Sequence, residues 1–250
     1  SDFNVAHYEK LNYSVLDLND NFVFDVRWLR DDLEMRTIEI LIPKVAKIQD
    51  LRRKAIGTVK KQPPEDFRGL MDRKHLDPND CIRMVAIKSG IIKSIPNPDE
   101  DVRNYATEGR NGTTDADYLR LEAIGDDERN RSEEDIVVPV FMYHMNSYGN
   151  PEPDEKGYVP FYFVIKSGEN VQSIKERLAE KVKAKRFGQF KLKKIIKPLQ
   201  TQQQQDAEEL NDETSAADID WADSHLGIEF LNKPRTYQSF YDRPMKISAS

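Results

Sequence analysis

Phe22-Val23-Phe24-Asp25-Val26-Arg27-Trp28 alternates: Phe22, Phe24, Val26 and Trp28 share one parity, Val23, Asp25 and Arg27 the other. Successive side chains of a strand point to opposite faces, so the pattern predicts a half-buried strand. A charged turn, Arg30 to Glu34, follows it. Thr37-Ile38-Glu39-Ile40-Leu41-Ile42 then reads as a second strand stopped by Pro43, which cannot donate to a sheet ladder. Two strands this close predict a hairpin. Beyond it Ile48, Leu51, Ala55 and Val59 recur at i, i+3, i+7 and i+11, the stripe of an amphipathic helix that should end by Pro63-Pro64. Further strands are expected over 82–87, around Ile91 to Ile95, and over 118–124.

The same order then begins again. The segment from Gly125 to Asp135 is acidic and polar with no apolar period, and reads as a linker or exposed loop. Ile136 to Tyr143 and Val159 to Lys166 form a second predicted hairpin across a turn rich in Gly and Pro, Gly149 to Gly157. Val171, Ile174, Leu178 and Val182 repeat the helical stripe, with Asn170 or Ser167 as the candidate N-cap. Gln189 to Ile196 predicts another strand, the glutamine run Gln202 to Gln205 a disordered loop, and Ile219 to Trp221 a short final strand. Hairpin, helix, then two further strands is the order of the β-grasp fold. The expectation is therefore α+β: two tandem ubiquitin-like β-grasp domains over 1–128 and 129–224, then an extended tail over 225–250. Other small α+β arrangements fit the same pattern.

Charge and composition narrow the function. The chain has 250 residues, 33% of them charged, with a net charge of -6, so no overall field favours nucleic acid or an anionic membrane. No apolar run approaches the roughly 18 residues of a membrane span. The single cysteine, Cys81, allows neither an internal disulfide nor a Cys-Cys zinc spacing, which suggests a reducing, intracellular setting, cytoplasmic or nuclear. The chain begins abruptly at Ser1, as a piece of a longer protein would. Cys81 sits in a strand pattern and reads as a buried core thiol rather than a nucleophile. His7, His75, His144 and His225 have no metal-ligand spacing, so neither metal nor cofactor is expected. The basic cluster Lys181, Lys183, Lys185, Arg186, Lys191, Lys193, Lys194 and Lys197 reads first as a solvated helix end and strand face, with Phe187 and Phe190 as core. An acidic partner or RNA is the sharper alternative.

The end of the chain carries a specific resemblance. His225-Leu226-Gly227-Ile228-Glu229-Phe230-Leu231-Asn232-Lys233-Pro234, followed by Tyr237, Tyr241 and the triplet Met245-Lys246-Ile247, resembles the C-terminus of the herpesvirus-associated ubiquitin-specific protease family. Phe187 to Leu192, the Phe24 to Trp28 strand and Val45 to Leu51 extend it backwards, while Gly168-Glu169-Asn170-Val171 resembles the helix start of ubiquitin. The long loop from Asn97 to Asp115, the glutamine run and Met245 depart from the animal form and suggest a fungal version. The resemblance implies a parent thiol-dependent ubiquitinyl hydrolase, whose catalytic cysteine and histidine boxes are not seen in this sequence.

It also implies that the tail docks on the catalytic domain of the same polypeptide and favours its active state. Met245 and Ile247 would be the anchors around Lys246, with Tyr241 and Phe240 in support and Pro244 limiting the entropy lost. An extended segment presents Met245 and Ile247 on one face, each worth about 1.5–3 kcal/mol if fully buried. The alternative is a recruitment module whose ubiquitin-like domains bind ubiquitinated substrates or adaptor proteins.

Overall fold

The computed structural model describes residues 14–29, 33, 35–61, 81–106, 117–145, 151–153, 159–182, 190–196 and 207–231. A short helix, α1 (Val15–Asp20), capped by Ser14, leads into β1 (Asn21–Leu29), β2 (Met35–Pro43), α2 (Ile48–Val59), β3 (Ile82–Lys88), β4 (Ile91–Ser94) and β5 (Tyr118–Ala123). A four-residue helix, α3 (Asp126–Arg129), precedes β6 (Ile136–Met145), β7 (Pro151–Pro153), β8 (Phe161–Ile165), α4 (Val171–Lys181), β9 (Phe190–Ile196), β10 (Ala207–Glu209) and β11 (Ser224–Phe230). The chain is thus α+β, built on two mixed sheets.

Both sheets have one plan. The first runs β2-β1-β5-β3-β4, with β1 antiparallel to β2 and parallel to β5. The second, followed through β8, runs β8-β6-β11-β9-β10, with β6 antiparallel to β8 and parallel to β11. β7 adds a short pairing at the far end of β6, Tyr143 opposite Pro153. Both predicted hairpins are present, with Phe24 opposite Ile40 and Val138 opposite Phe163.

Each helix covers one face of its sheet. Ile48, Leu51, Ala55 and Val59 of α2 pack on Phe24, Val26, Trp28, Ile38 and Ile40, all buried. Val171, Ile174 and Leu178 of α4, with Val182 just beyond it, pack on Val138, Val140 and Phe163. Burial of each Val, Leu or Ile side chain here contributes about 1.5–3 kcal/mol, which is why a stripe at helical spacing locks onto a face at strand spacing. Pro63-Pro64 lies outside the described residues; α2 ends at Val59, where the amide of the C-cap Lys60 donates to Ile56 O at 3.0 Å.

The repeat extends to individual hydrogen bonds. At the start of α2, Ile48 N donates to Glu100 O (2.9 Å), Gln49 N to Pro98 O (3.0 Å) and Val102 N to Ala46 O (3.1 Å). At the start of α4, Val171 N donates to Thr214 O (3.0 Å), Gln172 N to Asp212 O (3.0 Å) and Ala216 N to Glu169 O (2.8 Å). In both modules the loop before the last strand returns across the sheet to satisfy helix N–H groups that have no partner within the helix.

Two expectations change. Ile219 to Trp221 is not a strand: a single 3-10 turn, Ala216–Asp218, precedes it, and the Trp221 indole donates to Ala216 O at 2.9 Å. The short apolar run serves to seat an aromatic cap on the second core, not to pair in the sheet. The last strand is instead Ser224–Phe230, between β9 and β6, so residues 225–230, expected in the tail, belong to the second sheet. The expected linker also carries structure, since α3 is tied to both modules. The glutamine run lies outside the described residues, as do residues 107–115 of the long loop.

Candidate functional site: the last strand and the junction between modules

β11 alternates between two environments. Leu226 and Ile228 are fully buried against α4, whereas His225, Gly227 and Glu229 belong to the opposite face. A Cβ at Gly227 would lie 2.5 Å from Ile195 Cδ1 and 2.7 Å from the Tyr143 ring, so glycine is required for close approach. Glu229 accepts from the Tyr143 hydroxyl at 3.4 Å and pairs with Lys193 at 3.3 Å. Burial, with Glu229 nearby, raises the Tyr143 phenol above the usual range.

That opposite face meets the first module. His225 Nε2 lies 3.2 Å from Ile92 O, and the Phe141 ring meets the His225 ring edge-on with centroids 5.9 Å apart. Ile91 packs on Phe141, Tyr143 and Ile195, and Tyr162 packs on Val85, Ile87, Ile92 and Tyr118. The modules therefore stand back to back, each helix on the far side of its own sheet. Leu33, at the tip of the first hairpin with φ 63°, reaches the second core.

Charges are buried in this junction. Arg120 is fully buried, donates to Pro160 O across the junction at 2.5 Å and pairs with Glu122. Glu122, 4% exposed, also takes Arg83 Nε at 2.6 Å. Arg83 pairs with Glu128 of α3 and lies 4.0 Å over the Tyr162 ring. Burial pulls the Arg83 guanidinium down, but Glu122 and Glu128 outweigh it and hold its pKa above the ordinary value. Burial raises the Tyr162 phenol. Beside the network lies a cavity of about 430 Å³ lined by Leu29, Leu33, Tyr162, Phe163 and Lys181.

Phe240, Tyr241, Met245, Lys246 and Ile247, the expected docking residues, lie outside the described residues, as do Pro244, His7 and His75. Cys81 is buried in the first module, with its carbonyl accepting from Ile124 N at 2.7 Å. Among the described residues no three His, Cys, Asp or Glu side chains gather as a metal site, and no helix is long and apolar enough to cross a membrane. Of the basic cluster, Lys191 pairs with Glu209 at 2.9 Å and Lys193 with Glu229. Phe190 packs on the second core, 5.8 Å from Phe230, while Lys183, Lys185, Arg186, Phe187 and Lys197 lie outside the described residues.

A family model described as ubiquitin-specific protease C-terminal matches residues 6–235, both modules and the whole of β11. The chain belongs to that family. A search of curated proteins returns no significant match. The segment that carries the resemblance, His225 to Phe230, is in this ubiquitin-specific protease C-terminal region a central strand. Sequence reasoning missed the junction residues Arg83, Arg120, Glu122 and Tyr162. A signal for two of them was present: Arg120 and Glu122 alternate with Leu119 and Leu121, as for a face expected to meet solvent.

Proposed function

We propose that the chain is the non-catalytic regulatory region of a deubiquitinating thiol protease, built of two ubiquitin-like β-grasp modules and a tail that docks on the catalytic domain of the same polypeptide to promote ubiquitin cleavage. The match to the ubiquitin-specific protease C-terminal family carries the reading. The helix-covered mixed sheet, with first and last strands parallel at its centre, supports the β-grasp assignment of both modules. Met245 and Ile247 are the anchors, with Phe240, Tyr241 and Lys246 beside them. Two buried anchors, offset by the ordering of a flexible segment, leave a contact of about millimolar Kd. Within one chain the effective concentration is itself on the order of millimolar, so such a contact is well occupied and still reversible.

The other reading is recruitment of ubiquitinated substrates or adaptor proteins through the outer sheet faces. Against it stands the junction, where Val85, Ile87 and Ile92 of one face and Phe141, Tyr143 and Ile195 of the other are already buried.

The test compares hydrolysis of a fluorogenic ubiquitin substrate by the isolated catalytic domain, by that domain fused to this chain, and by a fusion carrying Met245→Ala and Ile247→Ala. Acceleration in the fusion, lost in the double variant, is the expected result. Three equal rates overturn the activating role.

A further inference from the structure

We propose that the Glu128–Arg83–Glu122–Arg120 network, with its contacts to Pro160 O and Tyr162, is an orientation key: it permits one registry of the two modules and so fixes where the chain leaves the second module towards its C-terminus. Apart from His225 Nε2 beside Ile92 O, the remainder of the contact is apolar and undemanding. Val85, Ile87, Ile92 and Tyr118 against Tyr162, and Ile91 against Phe141, Tyr143 and Ile195, form surfaces that tolerate sliding or rotation, because burial of apolar area has no direction. Charges differ. A slipped pairing would take Pro160 O away from Arg120 and the Tyr162 ring away from Arg83 while leaving both guanidinium groups desolvated, Arg120 with Glu122 alone and Arg83 between Glu122 and Glu128.

A buried guanidinium N–H that loses its acceptor keeps its desolvation cost, whereas a satisfied buried network adds little to stability over an apolar replacement. Such a network therefore discriminates between arrangements more than it stabilises any one. Glu128 extends the key to α3, whose Asp127 pairs with Arg177 of α4 at 3.4 Å, so the connector is held from both sides. β11 is set by the same junction through His225 and Ile92, and residue 231 follows it directly. The network is thus a positioning element for whatever lies beyond residue 231, whether or not the tail activates a catalytic domain.

The experiment measures orientation in the 250-residue chain. Spin labels go on Thr37→Cys in β2 and Glu176→Cys in α4, both exposed positions in different modules, while Cys81 is buried and stays unlabelled. Electron–electron distance measurement should give one narrow population. With Arg120→Met and Glu122→Leu together, far-UV circular dichroism should be retained and the melting midpoint lowered modestly, since Arg83 keeps only Glu128, while the original distance falls to about half of the molecules or less. If the double variant does not fold, Glu122→Gln, nearly isosteric, is measured instead and should broaden the distribution in the same direction. An unchanged narrow population in a folded variant, or a broad one in the unaltered chain, overturns the proposal. Because the readout involves no catalytic domain, its failure is separate from failure of the activating role.

Discussion

α2 and α4 begin on the same backbone scaffold, yet each uses the opposite half of the reciprocal cap that starts many helices. In the second module Asn170, at the N-cap, accepts from Ser173 N at 2.9 Å. In the first, Lys47 occupies that position and has no acceptor to offer. Asp50, three residues on, instead reaches back to accept from Lys47 N at 3.1 Å, and the Lys47 ammonium pairs with Asp101 at 2.9 Å. A full capping box would use both contacts at once. Topology places the start of each helix, through the returning loop whose carbonyls accept from helix N–H groups in both modules; the local residues only adjust it.

The largest changes expected from probing this equivalence are in the cores. Leu51→Ala and Ile174→Ala each remove a fully buried side chain and should destabilise by about 2–5 kcal/mol. If the junction couples the modules, calorimetry will show each variant lowering one common transition. Two separate transitions, only one of them shifted, would mean that the modules are merely adjacent.

A smaller effect is expected where the modules differ in packing. Gly227→Ala in β11 forces Ile195 or Tyr143 to move and should cost about 1–3 kcal/mol, read as a lowered denaturation midpoint. A neutral result would mean that both side chains yield freely. Next come the caps. Asn170→Ala should cost about 1 kcal/mol. Lys47→Asn, which supplies the missing acceptor in the first module, should recover a few tenths of a kcal/mol net of the lost Asp101 contact, measured by urea titration. Equal and opposite shifts would make the two helix starts interchangeable.

An effect of similar small size is electrostatic. Asp25 lies directly opposite Glu39 across the first hairpin, and burial together with that carboxylate raises the Asp25 pKa, with Arg27 partly offsetting them. A raised carboxylate binds its proton more tightly in the folded chain, so its contribution to stability falls as pH rises from below 3.8 through the folded value. Asp25→Asn should therefore gain about 0.2–1 kcal/mol at neutral pH. That gain should vanish as the medium is made more acidic than the unperturbed value, followed by thermal melts across pH.

The regular elements were legible because periodicity reports burial directly. Phe24, Val26 and Trp28 at spacing two, and Ile48, Leu51, Ala55 and Val59 at spacing three and four, reach the cores the pattern assigns them. Asn170 was legible as a cap for a local reason: its side chain bonds three residues away. The misplaced last strand has a physical cause as well. Ile219 and Trp221 are apolar because they close the second core, and an apolar run of that length does not distinguish a strand from a plug. Leu226 and Ile228, separated by Gly227, carry the true strand alternation.

The sequence by itself determined two α+β units of one design, their hairpins, their helices and the family to which they belong. Only the tertiary structure decided that the two sheets meet back to back and that Arg83, Arg120 and Glu122 are interior groups. A charged residue alternating along a strand carries the same pattern whether its face meets water or another module. The distinction lies in long-range contacts such as Arg120 with Pro160 and His225 with Ile92, which no local periodicity encodes.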